Sequence, residues 1–316
     1  MNAKVRNGDT VDFRQLRYFV AVVEAGSVTD AARRLHVVQP AVSQRIADLE
    51  NGLGVQLLIR TRQGVTPTSA GLELYSRARS IIKQVAVAAN ATRERGGIVG
   101  GRVSIGLLRS FSRILAVPLF QELRAALPAV LPEIVVGYSE SLVQRVNATS
   151  LDLALRVLKS GEAVAGCEPL FSESLCLVGS ARLLRGQPSE IALSDVGGIP
   201  LLISPTQPIH GELQVLAQEA GIHLHTVGSV ESSDAIEQLC RSGHAATFLS
   251  EMTARALALA PGRKLSMVRV QGFERSICIY SHPEIPKSSS VQACEQMLRR
   301  IALQEHARLH VQTQDS

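Results

Sequence analysis

The sequence predicts a multi-domain mixture of helix and sheet: an N-terminal helical region with a small β-wing and a long helix, then a two-lobed α/β region. Three observations predict it. Up to about residue 95, apolar side chains recur at helical spacing. The glycine pairs of "GGIVGG", residues 96–101, break that pattern, because adjacent glycines end a helix and loosen the backbone. Beyond them, strand-like and helix-like phrases alternate.

The elements follow in order. Phe13, Leu16, Phe19, Val20 and Val23 fall on one helical face, and Val28, Ala31, Ala32 and Leu35 on a second. Val42, Ile46, Leu49 and Leu53 fall on a third. Ser27 is a good N-cap, and Asp30 three positions on completes a capping-box pattern. That helix ends near Leu35 to His36, and only Val37 and Val38 precede Gln39-Pro40. Proline suits the first position of a helix, so the next helix is expected to start at Pro40. Two helices joined this tightly make a helix-turn-helix. With Val42, Ile46 and Leu49 buried, Ala41, Ser43, Gln44 and Arg45 lie outside, near the helix N-terminus. In this motif that tip meets base edges in the major groove.

"GVQLLIRTRQGVTPTSAG" then reads as a wing anchored by Leu57-Leu58 and turning at Gln63-Gly64. It carries Arg60 and Arg62, which can reach phosphate or a narrow minor groove. From about Thr68 to Arg95 a longer helix carries the stripe Leu72, Tyr75, Ala78, Ile82, Val85 and Ala89. Little nearby in sequence is left to cover it, so pairing with a second copy is expected.

After Gly101, "RVSIGLL", "EIVVGYSE", "LDLALRV", "IPLLISP", "HLHTVGSVES" and "HAATFLS" read as strands between helices. This implies a parallel or mostly parallel sheet with helices on both faces, divided into two lobes. Ligands of such lobes bind near strand C-termini and helix N-termini. The junctions place Arg109, Ser110 and Ser112, then Ser139 and Ser141, and in the second lobe Ser204 and Thr206. Each hydroxyl also suits a plain helix cap. As a set they suit a small anionic or polar metabolite.

Charge is divided unevenly. Residues 1–95 hold 14 Lys+Arg against 8 Asp+Glu, and the rest of the chain 19 against 20. The basic excess belongs to the region carrying the helix-turn-helix, where a polyanion is expected to bind. The chain is 46% hydrophobic and 19% charged, a globular composition. It has no apolar run long enough for a bilayer and no secretory h-region, so a cytoplasmic protein with no membrane partner is expected.

No cofactor or metal is expected, and no catalytic residue. GxSxG, HExxH, a P-loop and a full GxGxxG are all missing, and "GLGVQL" follows a helix rather than a strand. His223 and His225 would share one face of a strand. With His210 or His244 they form the alternative of a metal site, against the plainer reading of exposed or satisfied histidines. The five cysteines form no CxxC pair. Cys167 and Cys176, nine apart, leave a redox switch as a further alternative. A secreted solute-binding protein is disfavoured by the missing signal and the basic N-terminal region.

"FRQLRYFVAVVEAGSVTDAARRLHVVQPAVSQRIADLENGLGVQLLIRTRQGVTPTSAG" resembles the DNA-binding region of LysR-type transcriptional regulators. "RVSIGLLRS", "LDLALRV" and "ESLCLVG" extend the resemblance more weakly. The phrase "QLLIRTRQGVTPTSAG" is similar to the nitrogen assimilation control branch. The resemblance implies a winged helix-turn-helix over 11–68, a linker helix for dimers over 69–95 and a hinge over 96–101. It implies an effector domain over 102–310, like periplasmic solute-binding proteins, with lobe 1 about 102–174 and 275–310 and lobe 2 about 175–274. It implies a homotetramer on promoter DNA, with RNA polymerase as a further partner. It makes Gln39, Pro40, Ser43 and Gln44 the DNA-reading positions with Arg60 in the wing, and Ser110 the leading effector residue. Ser27, Ala41, Arg45 and Arg62 complete the expected DNA set. The family often has Arg where Gln44 stands and where Gln63 follows Arg62. An effector-independent regulator is the alternative that fits this branch.

Overall fold

The computed structural model describes residues 11–61, 64–94, 99–204, 207–262 and 264–314. The chain divides into two compact units with the main break after residue 97. Residues 96–98 of the expected hinge lie outside the described residues.

The first unit opens with α1 (Phe13–Ala25), α2 (Val28–Leu35) and α3 (Gln39–Leu53). Asp12 caps α1 and forms a complete capping box with Gln15. Gly26, at φ 62°, turns the chain into α2. Ser27 caps α2 through the N–H of Asp30, but the reciprocal half of the expected box is not made, because the Asp30 carboxylate accepts from Arg33 at 2.8 Å. α3 begins at Gln39, one residue earlier than expected, so Pro40 sits in its first turn. The core joins Phe19, Val22, Val28, Ala31, Val42, Ile46, Leu49, Leu57 and Leu58. Each large apolar side chain among them contributes about 1.5–3 kcal/mol over exposure. Three expected core positions differ. Phe13 and Leu53 are each 39% exposed, and Val22 takes the deep place assigned to Val23.

β1 (Leu58–Thr61) and β2 (Gly64–Pro67) form the antiparallel wing. Its second strand is tied to the α1–α2 turn, where Val65 N–H donates to Gly26 O at 2.8 Å. α4 (Ser69–Glu94) follows. The expected stripe divides. Ala78 is buried with Leu16 and Val20 of α1, and Tyr75 and Ile82 pack beside it. Val85, Ala89 and the neighbouring Ile81 stay open to solvent, as does Leu72.

The second unit is built on one seven-stranded sheet. Its strands are β3 (Gly101–Leu108), β4 (Val130–Gly137), β5 (Leu153–Lys159), β6 (Cys167–Ser180), β7 (Glu190–Ile191), β10 (Thr247–Ser250) and β11 (Leu265–Ser281). The order is β10-β6-β11-β5-β3-β4, with β7 beside β11. A separate parallel pair joins β8 (Leu201–Leu202) to β9 (Thr226–Gly228). The expectation of a mostly parallel sheet is corrected here. β3 is parallel to β4 and β5, but β5, β6, β10 and β11 are joined antiparallel. The sheet is mixed because β6 and β11, of 14 and 17 residues, run through both lobes and pair with each other.

Helices α5 (Arg109–Ala126), α6 (Ser139–Asn147), α7 (Pro208–Glu219), α8 (Ser233–Ser242), α9 (Glu251–Leu259) and α10 (Ser289–Gln314) cover the strands. One core gathers Ile105, Phe111, Leu119, Leu153, Ile279 and Leu298. A second gathers Leu177, Val196, Leu201, Leu213 and Phe248, and a third, smaller one Cys176, Ile236 and Leu265. These separate cores give two lobes on shared strands.

Candidate nucleic-acid interface and ligand cleft

α3 buries Val42 and Ile46 completely and Leu49 to 1% exposure. Its 3.6-residue period therefore turns Gln39, Pro40, Ala41 and Gln44 outward, with Ser43 and Arg45 half-buried beside them. The polar tip is held by short-range hydrogen bonds. Gln39 Nε2 donates to Ser43 Oγ at 2.8 Å, and Gln44 Nε2 donates to Asp48 Oδ1 at 2.8 Å. Arg45 Nη1 lies 3.5 Å from Asp12 Oδ2, an ion pair between α3 and the cap of α1. Among the expected residues, Ser27 is committed to capping α2. Arg60 is exposed on β1, and Arg62 lies outside the described residues. Sequence reasoning missed Val38, 70% exposed immediately before the tip. It also missed Glu50, whose carboxylate accepts from the N–H groups of Leu57 and Leu58 and so seats the wing.

The second unit contains a cleft of about 1470 Å³. Arg109, Ser110, Ser112 and Ser139 all line it, so four of the expected residues are brought together. Arg109 opens α5 and lies 5.5 Å over the ring of Tyr138. Ser112 Oγ donates to Arg109 O at 3.0 Å, tightening the first turn. Ser139 opens α6, and its Oγ accepts from Val157 N–H at 3.1 Å.

Ser141 and Ser204 do not line this cleft. Ser141 is exposed on α6 and outside the cleft lining. Ser204 is 1% exposed, and its N–H donates to His210 Nδ1 at 2.8 Å. The strand-to-helix rule misplaced it because β8 spans two residues and α7 starts only at Pro208. Thr206 lies outside the described residues.

Charged residues that the sequence did not single out complete the cleft. Arg113 of α5 reaches Glu237 of α8 at 2.6 Å, and Glu237 also pairs with Arg241 at 2.9 Å. Burial pushes the Glu237 carboxyl up, but the two arginines outweigh it and hold the group below its ordinary value. Arg156 and Lys159 at the C-terminal end of β5 line the same space. The signal that could have found them is their place at the end of a strand parallel to β3.

The two alternatives of the sequence reading do not assemble. His223 and His225 precede β9 rather than lying on a strand, and both are exposed. His210 is fully buried, with both ring nitrogens engaged, by Ser204 N–H and by Phe248 O. Among the described residues, no group of three His, Cys, Asp or Glu is arranged to hold a metal ion. Cys167 and Cys176 stand nine residues apart on one extended strand, β6, a span of roughly 30 Å at the rise of a β-strand, so they cannot pair. Cys176 is buried, which pushes its thiol up to about 12. Among the described residues, no helix is long and apolar enough to cross a membrane.

Comparison with known proteins finds two family models along the chain. Residues 13–72 match the family described as bacterial regulatory helix-turn-helix protein, lysR family. Residues 96–302 match the LysR substrate binding domain. The chain is 33% identical over 293 residues to the nitrogen assimilation regulatory protein nac of Klebsiella aerogenes, covering 91% of this chain and 94% of that one. It is 31% identical over 296 residues to the protein of the same name from Escherichia coli K12, covering 92% and 95%. Among solved structures, a full-length OxyR variant from Pseudomonas aeruginosa shares the fold with a TM-score of 0.70 and 19% identity, covering 92% of this chain and 94% of that one.

Proposed function

Because this chain belongs to the LysR family of bacterial transcriptional regulators, we propose that the tip of α3 reads its operator and that the cleft beside α5 receives the metabolite that governs it. The protein is a DNA-binding transcriptional regulator, and its kinship with two nitrogen assimilation regulatory proteins supports a position near that branch. The observation that carries the operator reading is the division of α3 into a wholly buried face and an exposed polar tip.

At that tip Ser43 and Gln44 offer hydrogen bonds to base edges, and Arg45 offers a guanidinium to guanine or phosphate. Val38 and Pro40 offer apolar contact of the kind a thymine methyl accepts. Arg60 of the wing adds backbone contacts, and Arg62 is proposed to do the same. The exposed side chains of α4 support dimers through that helix, and two dimers would form the tetramer on promoter DNA. RNA polymerase at the promoter is the further partner, and the cytoplasm is where the protein meets both.

For the cleft, Arg109, Ser110, Ser112 and Ser139 support a small anionic or polar ligand. One observation favours the second reading, control without an effector: Glu237 already supplies Arg113 with a carboxylate.

Selection of bound fragments from the source genome by the purified chain tests the operator reading. An enriched imperfect palindrome is expected, and binding without sequence preference would overturn it. The double variant Ser43→Ala, Gln44→Ala is expected to lose specific binding while remaining a dimer. Unchanged operator affinity in that variant would refute the assignment of α3.

A further inference from the structure

The second unit carries a pair of sulfurs that neither DNA reading nor ligand binding uses. Of the five cysteines, four are buried and Cys167 alone is partly exposed. Cys167 opens β6 and pairs in register with Tyr280 of β11. Cys278 is two residues earlier on β11, so its side chain leaves the same face of the sheet. The two thiols lie on neighbouring positions of that face, close enough to influence each other's charge.

Arg156, opposite Cys278 on β5, completes the group. Its Nη1 donates to Cys167 Sγ at 3.9 Å. Its guanidinium lies 5.3 Å over the Tyr280 ring, and its backbone carbonyl accepts from Cys278 Sγ at 3.6 Å. One arginine therefore contacts both sulfurs, and the same arginine lines the ligand cleft.

We propose that Cys167 is oxidised by a hydroperoxide and that Cys278 resolves it to a reversible intramolecular disulfide. In the first step the Cys167 thiolate attacks the peroxide. A sulfur–oxygen bond forms, the oxygen–oxygen bond breaks, and the leaving hydroxide or alkoxide takes up a proton. Cys167 is now a sulfenic acid. In the second step the Cys278 sulfur gives up its proton and displaces the hydroxyl. The disulfide forms and water leaves.

The environment separates the two roles. Arg156 puts a permanent cation beside the sulfur that must attack as an anion. Burial pushes the Cys278 thiol up to about 12, which leaves the partly exposed Cys167 to meet the oxidant first. The backbone there can adjust, because the β6–β11 register shifts between Ile277 and Cys278, and Cys278 faces Pro169, which has no N–H to give to the ladder. A disulfide would occupy the sulfur that Arg156 now contacts, and so alter one wall of the cleft.

The test is a thiol map of the purified full chain after a small excess of hydrogen peroxide, with alkylation in denaturant and peptide mass spectrometry. Free thiols are expected to fall from five to three, with Cys167 linked to Cys278 and all five restored by dithiothreitol. Five alkylated cysteines after treatment would overturn the proposal. So would first oxidation at Cys176, Cys240 or Cys294, or Cys167 passing to sulfinic acid while Cys278 stays free. Cys278→Ser is expected to accumulate a dimedone-reactive Cys167, and Cys167→Ser to keep its remaining thiols. If the buried Cys278→Ser variant fails to fold, the map of the unaltered chain still decides. The readout needs no DNA or effector, so it stands or falls apart from the regulatory reading.

Discussion

Glu50 holds the junction on which the wing depends. One carboxylate oxygen accepts from Leu57 N–H at 2.8 Å and from Leu58 N–H at 3.1 Å, where the chain leaves α3 for β1. Leaving a buried N–H without a partner costs about 1–3 kcal/mol. Glu50→Ala is expected to destabilise the first unit by that order and to weaken operator binding, because the strand carrying Arg60 loses its seat. Glu50→Gln keeps an acceptor oxygen and should retain most of both. Thermal unfolding together with operator titration checks this, and an alanine variant indistinguishable from the unaltered chain refutes it. Gly71 shows a second close fit, since a Cβ there would lie 2.1 Å from Leu57 O. Caps and proline were legible in the sequence because their signals are local: Ser27 caps α2 and Pro40 sits in the first turn of α3. Glu50 was not, because its partners lie seven and eight residues on, across a bend that no periodicity describes.

At the level of elements, the helical period of the first unit was readable because each apolar face is closed by its sequence neighbours. α4 exceeds that rule. Its Ala78 is covered by Leu16 and Val20, while Ile81 and Val85 remain 43% and 46% exposed. A second copy of this helix would cover them. Ile81→Asp with Val85→Asp is expected to shift sedimentation from dimer or larger toward monomer with helical content kept. Unchanged sedimentation would mean that self-association uses another surface. In the second unit the mixed sheet escaped the sequence reading for a different reason. β6 pairs with β11 roughly a hundred residues later, and both strands mix polar with apolar residues over much of their length. Local alternation reveals a strand but not its partner or direction. The cleft was therefore legible on α5 and α6, which follow short parallel strands. It was misread at Ser204 and missed at Arg113, Glu237 and Arg156, whose meeting depends on how the long strands join the lobes.

For the molecule as a whole, one buried and one half-buried histidine predict a stability that falls with mild acid. His210 is fully buried, and burial lowers its pKa. Its Nδ1 accepts from Ser204 N–H and its Nε2 faces Phe248 O, an arrangement that only the neutral ring satisfies. His306 stacks on Phe171 with ring centroids 4.2 Å apart, beside His310, and burial lowers its pKa as well. In the unfolded chain both rings take up a proton near the ordinary histidine value of about 6.5. The folded state resists that proton, so stability is full above about 6.5 and declines as pH falls from there toward the lowered folded values. Glu173 acts in the opposite sense. Burial raises its pKa against the pull of Arg275, so the folded state holds that proton more tightly and gains as pH falls. Glu237 and Glu251 are held below the ordinary carboxylate value of 4.5 and titrate outside this window. The thermal midpoint is therefore expected to fall between about pH 7.5 and about pH 5.5, a window that brackets the unfolded histidine value. His306→Phe, which keeps a ring against Phe171 and removes the proton site, should flatten that fall. A midpoint constant across the window would mean that Glu173 offsets both histidines. A fall left unchanged by His306→Phe would assign the whole effect to His210, whose protonation breaks the bond that ties α7 to the end of β8.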